Sequence, residues 1–161
     1  MNNKKESGIK ERFRIMNLLM PPILLLNSIE NISRAYGAVS VADPIFCGWK
    51  TTKLNPDKPL DSVLLKLSNH PVMDMYGPLD EKFLQSIVDC ALEYKVQGAI
   101  YYAHVGCRQS AALIRLIKDA LNDVDVPTLV LDCDIVDKTV SPESEISAKL
   151  SQFFELLEER S

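Results

Sequence analysis

Val96-Gln-Gly-Ala-Ile-Tyr-Tyr-Ala103 is followed by His104-Val-Gly106-Cys107-Arg108-Gln109, and then by Ser110-Ala-Ala-Leu-Ile-Arg-Leu-Ile-Lys-Asp-Ala-Leu121. The first piece is a nearly continuous apolar run with little alternation, the pattern of a strand buried on both faces. The last has apolar residues at Leu113, Ile114, Ile117 and Leu121, the repeat of an amphipathic helix. A strand covered on both faces implies a mostly parallel sheet between helices, so strands and helices should alternate elsewhere.

They do. Phe13 to Leu19 reads as a strand, and Ile23 to Tyr36 as a helix behind Pro21 and Pro22. Gly37 ends that helix, and Ala38 to Ala42 is a short strand with β-branched residues. Asp43 to Pro59 is irregular, broken by Pro44, Gly48, Pro56 and Pro59, and a short helix covers Leu60 to Leu67. Pro71 to Pro78 is a methionine-rich loop. Leu79 to Tyr94 has a helical repeat through Phe83, Leu84, Ile87, Val88, Ala91 and Leu92, with Asp80 and Glu81 in the turn that favours negative charge. Pro127 to Leu131 is a strand. Ser141 and Pro142 read as N-cap and first residue of a last helix that buries Ile146, Leu150, Phe153, Phe154 and Leu157.

This order predicts a three-layer, flavodoxin-like (Rossmann-like) α/β domain with a mostly parallel sheet of about four strands. The simplest strand order is 2-1-3-4. Residues 11–161 form the single domain, and Met1 to Lys10, polar and without apolar period, is a flexible tail. In such sheets ligands bind beyond the carboxyl ends of the strands at the point where the order reverses, here between the first and third strands. His104 to Gln109 lies there.

The bulk composition excludes several classes. A net charge of −4 over 161 residues, with no basic stripe, argues against nucleic acid. The apolar run Leu18 to Leu26 is too short to span a membrane and contains two prolines. It ends in Asn27-Ser28-Ile29-Glu30 with no small-residue cleavage site, so the expected location is cytoplasmic. Cys47, Cys90, Cys107 and Cys133 should then be reduced thiols. No two form a CxxC pair, which excludes a zinc ribbon or a local ferredoxin-type motif.

Cys107 is the thiol best placed for chemistry. It sits between a strand and a helix, where free helix N–H groups and the neighbouring Arg108 favour a thiolate, and Gly106 lets the backbone approach a ligand. The bland alternative is a partly buried loop thiol. Cys90 reads as a core residue. Cys133, between Asp132 and Asp134, is in an acidic setting that raises a thiol pKa, and Cys47 lies in the loop after the second strand. His104 is either a base or a hydrogen-bonded structural residue, and His70 is a loop residue. Asp134 and Asp137 could bind a cation but are commoner as turn-formers. Trp49, Met73, Met75 and Tyr76 could line a pocket or close loops over the core.

Gly98-Ala-Ile-Tyr-Tyr-Ala-His-Val-Gly-Cys-Arg108 resembles a segment of the 2-hydroxyacyl-CoA dehydratase, 2-hydroxyglutaryl-CoA dehydratase D-component and benzoyl-CoA reductase family, in which a strand leads into a cysteine and a basic residue. Val126 to Asp137 resembles the family's next strand, and Ser141 to Glu158 its closing helix. Arg14-Ile-Met, Pro21-Pro22, Tyr36 to Asp43 and Cys47-Gly48 follow the pattern in order, so the resemblance spans about residues 12–158. In the closing helix many relatives have an arginine where this chain has Ala148-Lys149-Leu150, and lysine is a poorer bidentate clamp.

Family members are two-domain proteins whose subunits hold an iron–sulfur cluster through two cysteines of the first domain and one of the second. The resemblance implies that this chain corresponds to the second domain. Cys107 is then one ligand of a 4Fe-4S cluster, with Gly106, Arg108 and His104 around it, and the other two ligands have no counterpart here. It further implies an acyl-CoA substrate, a first domain or second dehydratase subunit, and an ATP-dependent activator protein that supplies one electron. The reaction would remove water from a 2-hydroxyacyl-CoA through a ketyl radical, giving an enoyl-CoA, with the isolated chain inactive. Two other functions remain open: a non-catalytic binding or interaction module of the same fold, and a thiol hydrolase or transferase with Cys107 as nucleophile and His104 as base.

Overall fold

The computed structural model describes residues 10–45, 53–70, 73 and 81–160. Expectations for the tail through residue 9 and for Cys47, Trp49, Met75 and Tyr76 lie outside them. Four parallel strands, β1 (Phe13–Leu18), β2 (Ala38–Ala42), β3 (Gly98–His104) and β4 (Thr128–Cys133), lie in the order β2-β1-β3-β4. This is the 2-1-3-4 sheet implied by the apolar run at Val96. β3 is buried at every residue but His104, because helices cover both sheet faces. The strand starts two residues later than the apolar run, since the Val96 N–H donates to Ala91 O and closes the preceding helix.

Among the described residues the helices are α1 (Leu26–Ala35), α2 (Pro59–Ser68), α3 (Glu81–Glu93), α4 (Arg108–Asn122) and α5 (Glu143–Arg160). A separate 3-10 turn, Ile23–Leu25, precedes α1, where the sequence predicts one continuous helix. The Ile23 N–H donates to Ile135 O after β4, which fixes the turn against another loop. Gly37 follows α1 with φ +70, as its sequence position requires, and a Cβ there would lie 2.8 Å from Lys10 O.

Residue parity along β3 shows which helix covers which face. Gly98 faces α5 so closely that a Cβ would lie 2.9 Å from Phe153 Cζ and 3.0 Å from Leu157 Cδ1. Tyr101, of opposite parity, donates its hydroxyl to Ser110 O at 2.7 Å at the start of α4. α1 joins α5 on the first face through the Tyr36 and Phe154 rings, 5.2 Å apart, and α3 joins α4 on the second. The core of Phe13, Met16, Phe83, Tyr101, Tyr102 and Phe154 thus lies on both sides of one sheet.

Ser141 does not cap α5. Both Glu145 and Ile146 donate their N–H groups to Pro142 O, and the buried Ser141 hydroxyl donates to Asp132 O at 2.5 Å. The side chain ties the start of α5 to the end of β4, a use that a local capping pattern does not reveal. α2 turns Leu60, Val63, Leu64 and Leu67 outward, each more than half exposed. Among the described residues no helix is long and apolar enough to cross a membrane.

Candidate functional site

The carboxyl end of β3 runs into a tight turn. Val105 N–H donates to Cys133 O at 3.1 Å, extending the ladder by one bond, and Cys107 N–H donates to His104 O at 2.9 Å. The turn delivers Cys107 to the N-cap of α4 in the extended backbone that caps adopt. Its sulfur accepts the Ser110 N–H at 3.4 Å, and the Ser110 hydroxyl donates back to Cys107 O at 3.0 Å. The Ser110 N–H and then its hydroxyl hold the thiol pKa below its ordinary value, outweighing the opposing effect of burial, with a still smaller lowering contribution from the Gln109 N–H. Cys107 is part-exposed and Arg108 exposed beside it.

Gly106 stands at the tip of the turn. A Cβ there would meet nothing within 4 Å, and the backbone is outside the left-handed region. The fold of this chain therefore makes no demand for glycine at 106. With Val105 60% exposed beside it, the tip presents an apolar side chain and the bare backbone of Gly106 to whatever lies outside.

His104 turns to other partners than Cys107. Its Nε2 lies 2.7 Å from Met20 O, and a carbonyl only accepts, so this nitrogen carries the proton. In the neutral ring Nδ1 is then the acceptor, 3.7 Å from the sulfur of Cys133, its register partner on β4. Cys133 is fully buried, and burial first, then Asp132 and Asp134, push its thiol up to about 12. It is a neutral donor. The two cysteines at this edge thus have opposite character, and the contact that a Cys107–His104 nucleophile pair requires is not formed.

Met20 follows Leu19, a buried non-glycine residue in the left-handed region at φ 68. The His104–Met20 and Ile23–Ile135 hydrogen bonds pin this loop, so the segments after β1, β3 and β4 form one rim. Asp134 accepts the Val136 and Asp137 N–H groups, both at 2.9 Å, and Asp137 accepts both the N–H and the hydroxyl of Thr139. These bonds hold both carboxyls below the usual range and make the two residues turn-formers. Cys90, in α3, is part-buried, and burial, then Glu93 and Asp43, raise its pKa.

Two residues of this rim escape a sequence reading. Ser110 does leave a signal that could have found it, as the third residue after a cap position, the spacing of reciprocal caps. Met20 gives no sequence signal, because its part is played by a backbone carbonyl. Among the described residues no group of three or more His, Cys, Asp and Glu side chains could hold a metal ion. An iron–sulfur cluster needs several thiolates. The described residues fit one ligand of such a group, at Cys107, and do not fit a complete set.

No curated protein matches the chain. The family model for the 2-hydroxyglutaryl-CoA dehydratase D-component matches residues 1–157, which takes in β1 to β4, α1 to α4, α5 but for its end, and the rim around Cys107. A match over essentially the whole chain places this protein in the 2-hydroxyglutaryl-CoA dehydratase D-component family.

Proposed function

We propose that this chain is a component of a 2-hydroxyacyl-CoA dehydratase-like enzyme and contributes Cys107 to a 4Fe-4S cluster. The other thiolates would come from a first domain or a second subunit. The observation that supports this most directly is the Cys107 sulfur, capped by Ser110 and part-exposed beyond the carboxyl end of β3. A metal ligand must be a thiolate, and this is the described thiol that its surroundings push toward that form. A cluster with an open position supplies electron transfer and Lewis acidity when bound.

The chain's own residues bind and orient. Ser110 fixes the direction of the Cys107 sulfur, and Gly106 leaves room for a thioester or a partner surface against the backbone. Arg108 offers an exposed cation beside the acyl-CoA. His104 shapes the pocket by holding the Met20 carbonyl in the rim. The electron would come from a separate ATP-hydrolysing activator, and the setting would be cytoplasmic. The isolated chain is inactive on this proposal.

The test is anaerobic co-expression with candidate partner subunits, followed by iron and sulfide analysis of the complex. Iron and sulfide that depend on Cys107, and dehydratase activity that disappears with Cys107→Ala, are the expected results. A complex that keeps its iron and activity after Cys107→Ala would remove the assignment.

A further inference from the structure

A cavity of about 470 Å³ lies between α1 and the sheet, and none of His104, Cys107 and Cys133 lines it. Its origin can be followed residue by residue. On the face under α1, β2 carries Ala38 and Ser40, short side chains where a two-sided sheet usually has branched apolar ones. Asn27, Glu30 and Ser33 of α1 line the facing wall. Small residues opposite polar ones leave a space that neither side fills. The cleft opens at the edge strand β2, and its volume is in the range of ligand pockets.

The lining has a definite chemistry. Ile15 and Ile100, both buried, make an apolar floor. Across it the Tyr102 hydroxyl donates to Asn17 Oδ1 at 3.4 Å, and Asn17 Nδ2 donates to Ser40 Oγ at 2.9 Å. The Asn17 amide retains one N–H and one lone pair beyond these bonds, and Ser40 retains its hydroxyl proton. The charged residues of the lining, Glu30 and Arg34, are paired with each other and offer no unbalanced charge to an ion.

We propose that this cleft binds an uncharged, planar molecule of up to nucleoside size that presents a donor beside an acceptor, with Asn17 as its bidentate partner. A carboxamide and the amino edge of a purine share this chemistry, and asparagine pairs with both in the same way. The apolar floor takes the face of the ring. This site is independent of the cluster ligand at Cys107 and stands or falls separately.

The test is an NMR titration of the isotope-labelled full chain with adenosine, with nicotinamide, and with toluene as the apolar control. Saturable shifts at Asn17, Ser40 and Tyr102 are expected from at least one of the first two, and their relative strength separates purine from carboxamide. Toluene should give none. Asn17→Leu keeps the size but removes both partners, and should weaken binding by at least about tenfold. Ser40→Leu, at an exposed position of β2, should fill the cleft and abolish binding, while the remaining spectrum reports that the fold is intact. Absence of saturable shifts from adenosine and nicotinamide, equal binding of toluene, or undiminished binding to a folded Ser40→Leu chain would each overturn the proposal.

Discussion

The sulfur of Cys107 lies 3.4 Å from the backbone nitrogen of Ser110, where an oxygen of serine or aspartate usually caps a helix. A thiol is a weak acceptor and a thiolate a strong one, so the cap is best made by the ionised form.

Cys107 should consequently be alkylated by iodoacetamide before Cys90 and Cys133. Its labelling rate should rise with pH and level off below the ordinary thiol value, because its pKa is lowered while those of the other two are raised. Mass-spectrometric mapping after brief treatment reads the order, with Cys107→Ser as the blank. Serine supplies a cap oxygen at the same position, so that variant should fold normally. Earlier labelling of Cys133 would contradict the burial on which the contrast rests.

Alkaline pH should weaken the fold. Cys133 keeps its proton in the folded chain to about pH 12, against an ordinary value of 9.0, and buried Tyr101 and Tyr102 are raised as well. Below pH 9 the folded and unfolded chains hold this thiol proton equally, and the stabilisation is fully present. Above it the unfolded chain releases a proton that the fold retains, so stability falls with rising pH until Cys133 itself ionises. Urea midpoints should decline from about pH 9 upward. Cys133→Ala should reduce the slope, and an unchanged slope would show that other groups carry it.

Two glycines should respond in opposite ways to one substitution. Gly98→Val forces a side chain against Phe153 and Leu157 and should cost about 1–3 kcal/mol, read as a lower urea midpoint. Gly106→Val meets open space and should change stability by less than about 0.5 kcal/mol. If the rim faces a partner domain, the second variant should lose assembly while its fold is intact. A pull-down with the partner subunit measures this, and unimpaired assembly would mean that the tip is not part of the contact.

The sheet was legible because its signals are local. Val96 to Ala103 announces a doubly covered strand, and the strand at Ala38 to Ala42 has the bounds that its β-branched residues and Gly37 suggest. The placement of Cys107 at a strand end and helix start followed from the same pattern. The His104–Cys133 contact was not legible, since it arises from the register of two strands whose sequences are read separately. Ser141 misled for a related reason: its side chain is turned to donate to Asp132 O, which only the fold brings close. The cleft under α1 depends on what Ala38 and Ser40 face, which no single segment contains.

The isolated chain should fail to assemble a stable cluster. One capped thiol at the rim, with Cys133 sealed in the core, does not supply the set of thiolates that a 4Fe-4S cluster uses. Anaerobic reconstitution with iron and sulfide should give no persistent cluster absorbance after desalting. A full 4Fe-4S spectrum from this polypeptide alone would refute that and direct attention to Cys47.

The middle of the sheet also dictates an order of folding. β1 and β3 are neighbours in space, with Ile15 against Gly98, yet nearly everything between them in the chain must first be looped out. The β1–α1–β2 unit and the β3–α4–β4 unit are each closed by nearby sequence and can form early, whereas the seam between them waits. During synthesis β1 therefore leaves the ribosome with its inner edge unpaired until Gly98 to His104 follows. An unpaired strand edge is a template for joining the wrong chain, so this delay is an interval in which the nascent protein is open to mispairing.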